Sequence, residues 1–213
     1  MRLVMPRLYV ILDAGLVHRS ILEIADQLID AGVRILQYRD KIGAAASMLR
    51  TSQALAKTAG NAGVDFFVND RPDIAFLANA TGVHVGQDDL SVEQARAIVG
   101  PERLVGVSTH NREQFSRAVA TSADYIAIGP IFATKSKVNP DPVVGIDLLR
   151  DLRAITEKPI VAIGGIDLDR AEEVLRAGAD SIAVISDILL AADPQERARQ
   201  FVKKLEAVNL ARD

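Results

Sequence analysis

The chain has 213 residues, 49% of them apolar and 25% charged, with a formal net charge of −3. That is enough for one well-filled core, and the mildly acidic balance, without a basic patch interleaved with aromatics, excludes the electrostatic footprint of a nucleic-acid binder. There is no cysteine, which excludes disulfides, thiol nucleophiles and thiolate metal sites together, and no apolar run reaches the about 18 residues of a membrane span.

Short apolar or β-branched runs alternate with segments of helical period along the whole chain. The approach through Met1–Val10 holds Arg2 and Arg7 without a long apolar core, so it reads as the lead-in to a strand and not as a signal peptide. Leu8–Leu12 is the first run. A helix is predicted over Ser20–Ala31, where Ser20 and Glu23 have capping-box spacing and Gly32 follows. Arg34–Tyr38 precedes the alanine-rich helix Ala44–Ala59. Asp65–Asn69 leads to Pro72–Ala78, with proline just inside the helix, where its missing N–H costs nothing. Gly82–Val85 precedes Ser91–Val99, with Ser91 at the cap and Gly100-Pro101 as the stop. The runs Leu104–Ser108, Tyr125–Gly129, Ile160–Ile163 and Ser181–Ile185 then alternate with helices over Asn111–Thr121, Ile146–Thr156, Asp169–Ala177 and Pro194–Val208.

Alternating strands and helices imply an α/β fold with a parallel sheet and helices outside it. Runs such as Ile160-Val161-Ala162-Ile163 are apolar on both faces, as buried parallel strands are. Eight such units favour a single closed (β/α)8 barrel over residues 1–213, because closure leaves no edge strands. An open doubly wound sheet is the competing architecture.

In such a barrel the chemistry collects at the C-terminal ends of the strands, and polar residues collect there in this sequence. Gln37-Tyr38-Arg39-Asp40-Lys41 follows the second run, Asn69-Asp70-Arg71 the third and Gln87-Asp88-Asp89 the fourth. Ser108-Thr109-His110-Asn111 ends the fifth, and Thr134-Lys135-Ser136-Lys137 lies in the long loop after Gly129-Pro130. Gly164-Gly165 ends the seventh run and Ser186 the eighth. Asp70 and Asp89, at consecutive strand ends, are oxygen ligands suited to Mg2+, which keeps waters and takes one or two carboxylates plus substrate phosphates. The alternative is that each caps a helix. Arg39, Lys41 and Lys137 suit phosphate oxygens. Gly164-Gly165, read as opening a helix, is a phosphate-cup signal, since backbone N–H groups approach an anion only where no Cβ intrudes; its bland alternative is a tight turn. His84 within a strand reads as a packed or hydrogen-bonded residue, His110 as a shaper of the mouth or a helix cap, and His18 as solvated. Three scattered histidines without cysteine make no zinc pattern.

Taken in order from Leu8 to Ala207, these segments resemble the thiamine phosphate synthase family. The resemblance is carried by Gln37–Lys41, Phe67–Arg71, Gly82–Leu90, Gly106–Asn111, Ala127–Lys137, Ala162–Ile166 and Gly178–Ser186. It implies a small (β/α)8 barrel that joins 4-amino-2-methyl-5-pyrimidinylmethyl diphosphate to 4-methyl-5-(2-phosphoethyl)thiazole, releasing thiamine phosphate and pyrophosphate; the lack of cysteine fits a reducing cytoplasm. It implies one Mg2+ held by Asp70 and Asp89. Gln37, Tyr38, Arg39, Asp40, Lys41 and Asn69 would line the pyrimidine diphosphate, with Ser108 and Lys137 completing the clamp; Arg39, Lys41, Ser108 and Lys137 would be the catalytic set. Thr134, Lys135, Ser136, Gly165, Ile185 and Ser186 would hold the thiazole phosphate. Tyr38 and Ala133 depart from the family, which more often has an aliphatic residue and proline there.

The resemblance further implies a dissociative reaction that needs no protein nucleophile; Phe132–Val144, with Gly145 after it, is the candidate lid over it, and the alternative is a flexible surface loop. Partners are expected to be small phosphate-bearing molecules, with neither nucleic acid nor membrane; association into a homo-oligomer stays open. The rival readings are a thiazole tautomerase of the same superfamily, a sugar-phosphate isomerase or epimerase, and a non-catalytic binder of thiamine precursors.

Overall fold

The structure is a computed structural model and describes residues 5–134 and 141–208. Among the described residues, eight parallel strands follow one another in chain order around a closed barrel. They are β1 (Leu8–Asp13), β2 (Ile35–Arg39), β3 (Asp65–Asn69), β4 (Gly82–Val85), β5 (Leu104–Thr109), β6 (Tyr125–Ile128), β7 (Ile160–Ile163) and β8 (Ser181–Val184). β8 returns to β1 through Leu8↔Ile182 and Val10↔Val184, so no strand is left as an edge.

Outside lie α1 (Ile21–Asp30), α2 (Ala45–Asn61), α3 (Pro72–Leu77), α4 (Val92–Val99), α5 (Arg112–Val119), α6 (Gly145–Arg153), α7 (Ala171–Arg176), α8 (Ser186–Leu189) and α9 (Pro194–Glu206). Local chemistry sets their starts. The Ser20 hydroxyl accepts from the Glu23 amide, and Ser91 with Gln94 forms a reciprocal capping box. Asn111 caps α5 and Asp193 caps α9, where Pro194 occupies the first helical position.

Strand residues of one phase face the helices. Val10, Leu36, Val68, Val83, Ile126, Ala162 and Ile182 pack there against Ile24, Leu28, Leu55 and Phe201 in the outer core. The opposite phase points into the barrel, where Tyr9, Ile11, Ile35, Phe67, Tyr125, Ala127, Val161 and Ala183 form a second cluster. Each fully buried large side chain in these layers is worth about 1.5–3 kcal/mol. Gly106 makes room for this inner layer, since a Cβ there would sit 2.0 Å from Cζ of Tyr125.

At the N-terminal ends of the strands the polar groups are structural. Asp124 accepts from the Val105 amide and pairs with Arg96; Asp180 accepts from the Ile160 amide and pairs with Arg153. The two aspartates sit in matching segments, Ala123-Asp124-Tyr125-Ile126-Ala127 and Ala179-Asp180-Ser181-Ile182-Ala183, and each stitches its own strand to the preceding one.

Several bounds differ from expectation by a residue or two, and a few details matter for the site. β1 continues past Leu12 to Asp13. α7 begins at Ala171, two residues after the expected Asp169, and Gly164-Gly165 opens no helix directly, because a turn closed by Asp167, whose carboxylate accepts from the Arg170 amide, intervenes. The short helix α8 starts directly after β8 at Ser186.

Candidate active site

The strand ends at the C-terminal rim surround a chamber of about 820 Å3 that runs down to Tyr9, Ala127 and Ala183. Its size falls within the usual range for small-molecule sites. Its walls are apolar below, with Ile11, Val161 and Ile163, and ionic or polar above.

Gln37 and Arg39 reach the chamber from β2, being of the inward phase. Arg39 is paired with Asp13 on the adjacent strand, and Asp13 also accepts from the Gly15 amide at 2.9 Å. Asp13 is only 5% exposed, so the guanidinium is anchored by a buried carboxylate. Tyr38 and Asp40 do not line the chamber. Tyr38 has the outward phase and packs in the outer core. Asp40 accepts from the amides of Ile42 and Gly43 and from the Tyr38 hydroxyl, closing the turn that presents Lys41.

Lys41 meets Asp70, and Asp70 lies beside Asp89. Neither aspartate caps a helix: Arg71 and Ser91 occupy the N-cap positions of α3 and α4. Asp70 instead adopts φ 63°, a left-handed conformation uncommon outside glycine, and its amide donates to the His84 carbonyl at 2.8 Å. Such strain persists only where surrounding contacts impose it. Asp89 accepts from the Gly86 amide at 2.7 Å. Burial first, and then the neighbouring Asp70 carboxylate, hold the Asp89 carboxyl above its ordinary range; the Gly86 amide and Lys41 oppose this. Two carboxylates forced together repel, and a cation relieves that repulsion. Hard oxygen donors at one rim, open to a chamber that can admit phosphate oxygens, fit Mg2+. Among the described residues, no group of three or more potential ligands gathers, so within that part of the chain the pair Asp70 and Asp89 is what a cation would meet.

Asn69 and Ser108 also face the chamber. The Ser108 hydroxyl lies 2.8 Å from Nε2 of His84, and the Gln87 amide donates to the Ser108 carbonyl at 2.6 Å. His84 is 7% exposed, and burial pushes its pKa down to about 4. His110 donates from Nδ1 to the Gly129 carbonyl at 2.7 Å and lies 3.6 Å from Asp141.

On the other side, Gly164 and Gly165 have φ of 98° and 64°. A Cβ on Gly165 would stand 2.4 Å from the Ala133 carbonyl oxygen, and one on Gly164 2.5 Å from Cα of Pro130. The amides of Ile131 and Phe132 donate to the carbonyls of Ile163 and Gly164. The double glycine therefore lets the loops after β6 and β7 lie against each other. Arg170 braces this contact, stacking 4.7 Å over the Phe132 ring and donating to the Gly165 carbonyl. Thr134, Ile185 and Ser186 complete this wall. Lys135, Ser136 and Lys137, with much of the Phe132–Val144 lid, lie outside the described residues.

Sequence reasoning missed Asp13, Tyr9 and Tyr125 as parts of the site. The available signal was phase: all three share the inward alternation of Gln37 and Arg39 or of Ser108.

The chain is similar to known proteins in sequence and in fold. Residues 8–188 match the family model described as thiamine monophosphate synthase. The chain is 50% identical over 208 residues to the thiamine-phosphate synthase of Koribacter versatilis (strain Ellin345), covering 95% of this chain and 97% of that one. It is 45% identical over 199 residues to that of Chloroflexus aurantiacus, covering 92% and 90%. Its structure is similar to thiamine phosphate pyrophosphorylase from Pyrococcus furiosus, with a TM-score of 0.87, 32% identity and coverage of 95% and 96%.

Proposed function

The chain belongs to the thiamine monophosphate synthase family, whose relatives are transferases, and we propose that it joins 4-amino-2-methyl-5-pyrimidinylmethyl diphosphate to 4-methyl-5-(2-phosphoethyl)thiazole. The observation that carries this reading is the polarity of one chamber. An ionic rim of Arg39, Lys41, Asp70 and Asp89 faces a glycine-lined wall of Gly164, Gly165 and Ser186 across a space of about 820 Å3. One side suits a diphosphate and the other a monophosphate.

In the proposed reaction the bond from the methylene carbon to the diphosphate oxygen breaks, and its electron pair leaves with pyrophosphate. The thiazole nitrogen then supplies the pair for the new carbon–nitrogen bond. No proton moves and nothing is oxidised, so the protein needs no nucleophile. Its work is positioning and electrostatics.

Arg39, held by Asp13, and Lys41, held by Asp70, present cationic N–H donors to the departing oxygens. Ser108 adds a hydroxyl from β5. Asp70 and Asp89 would hold Mg2+, which when bound neutralises charge on the diphosphate. Ile11, Val161 and Ile163 offer apolar walls that keep water from the reacting carbon. Lys137 remains assigned to the clamp, and Lys135 and Ser136 to the thiazole phosphate, through the family resemblance. A thiazole tautomerase would have no use for the ionic rim.

The test is to mix both substrates with the purified protein, with and without Mg2+, and to measure pyrophosphate and thiamine phosphate. Equal amounts of both products, dependent on metal, are expected. No thiamine phosphate with both substrates saturating overturns the proposal.

A further inference from the structure

We propose that His84 is a positioning residue: a one-way run of hydrogen bonds, Gln37–Tyr9–Tyr125–His84–Ser108, fixes its tautomer and turns the Ser108 hydroxyl into a donor aimed at the chamber. The inference rests on the reading of Ser108 as part of the diphosphate clamp.

The run crosses the barrel along the chamber, four of its five residues lining it, and draws on four strands other than that of Ser108. Gln37 Nε2 donates to the Tyr9 hydroxyl at 2.9 Å. The hydroxyls of Tyr9 and Tyr125 are 3.2 Å apart, Tyr125 is 2.9 Å from Nδ1 of His84, and Nε2 of His84 is 2.8 Å from Oγ of Ser108. Gln37, Tyr9 and Tyr125 are 2%, 1% and 0% exposed, so protons in the run must be placed among its own atoms.

The direction follows from the amide end. An amide nitrogen only donates, so the Tyr9 oxygen accepts and its proton passes to Tyr125. The Tyr125 proton then meets Nδ1 of His84, which must be bare. A ring whose Nδ1 accepts carries its single proton on Nε2, which donates it to Ser108. Ser108 accepts from the ring and keeps its own proton to give to an anion. Reversal would require the Gln37 carbonyl to face Tyr9. Every bond would then invert, and the Ser108 proton would be consumed by His84. Gln37 and Ser108, on opposite sides of the barrel floor, are thus coupled without touching.

The first test reads the tautomer directly. In the full-length chain labelled with 15N-histidine, the His84 signals, assigned by their loss in His84→Gln, are expected to show the Nε2–H form at pH 7. An Nδ1–H form overturns the direction of the run. The second test compares His84→Leu with His84→Gln, whose amide can still donate to Ser108. The leucine variant is expected to lower kcat about tenfold, as for loss of one hydrogen bond, with the glutamine variant recovering most of the rate and the KM for the thiazole phosphate unchanged. In a Ser108→Ala background the leucine substitution is expected to add less than about twofold. Independent, multiplying effects of His84→Leu and Ser108→Ala overturn the positioning role while leaving the clamp reading intact. A Ser108→Ala enzyme at the parent rate overturns the clamp reading itself. Should His84→Leu fail to fold, the tautomer decides.

Discussion

Lowering the pH should destabilise the fold through one side chain. His84 is enclosed by the hydroxyls of Tyr125 and Ser108, with the Asp89 charge the nearest influence favouring its protonation. Burial depresses its pKa from 6.5 to about 4 in the folded state. The sign is fixed by proton uptake. Between those values the unfolded chain binds a proton that the folded chain refuses, so unfolding gains as pH falls. The stabilisation from keeping His84 neutral is complete above about pH 6.5 and is lost progressively towards pH 4. A gap of about 2.5, at about 1.4 kcal/mol per pH unit, amounts to about 3 kcal/mol. Urea unfolding of the parent chain and of His84→Gln, each at pH 7, 5.5 and 4, measures it. The parent should lose about 3 kcal/mol more than the variant over that range, and the difference isolates this histidine from the carboxylates that titrate in both. Parallel curves for the two proteins would refute the argument, because they would mean that the buried ring carries no penalty for protonation.

Asp70→Ala and Asp89→Ala should each lower the rate of pyrophosphate release by more than about 100-fold, while circular dichroism shows an unchanged fold; near-normal turnover of both at limiting Mg2+ contradicts their assignment. Asp180→Ala, at the other end of the barrel, leaves Arg153 and the Ile160 amide without this partner. It should cost about 2–4 kcal/mol in chemical denaturation and leave kcat per folded molecule within about twofold. Gly165→Ala puts a Cβ where φ is 64° and the Ala133 oxygen is 2.4 Å away. The strain is about 1–3 kcal/mol, and steady-state kinetics should show KM for the thiazole phosphate rising more than KM for the pyrimidine diphosphate.

The barrel was legible because its punctuation is local. β3, β4 and β7 have the bounds expected from apolar runs flanked by glycine, proline and acidic residues, and Ser20 and Ser91 act as the caps their spacing implies, while Asn111 and not His110 caps α5. The ionic rim was legible as well, since Arg39, Lys41, Asp70 and Asp89 stand at strand ends in the sequence and meet one chamber in space. What failed was adjacency. Tyr38 and Asp40 were carried along with the continuous segment Gln37–Lys41, although period-two alternation sends only Gln37 and Arg39 inward. Asp13 carries a charge directly after the apolar run Leu8–Leu12, and only burial against Arg39 makes it the last residue of the strand. Gly164-Gly165 was read as a helix entrance; close packing of two loops is what requires those glycines. The run from Gln37 to Ser108 joins strands far apart in sequence, and only closure of the sheet brings them together.

The reaction space exists because certain staves carry almost nothing. Ala127 and Ala183 each offer a single methyl to the interior, in a cluster they share with the larger side chains of Tyr9, Ile11, Ile35, Phe67, Tyr125 and Val161. Leucines there would leave a solid plug with an intact fringe of charges above it. In the proposed reaction the width of heterocycle that fits therefore depends in part on two uncharged positions. Catalytic power and choice of ring are accordingly separable traits, open to independent drift in nature and to independent redesign at the bench.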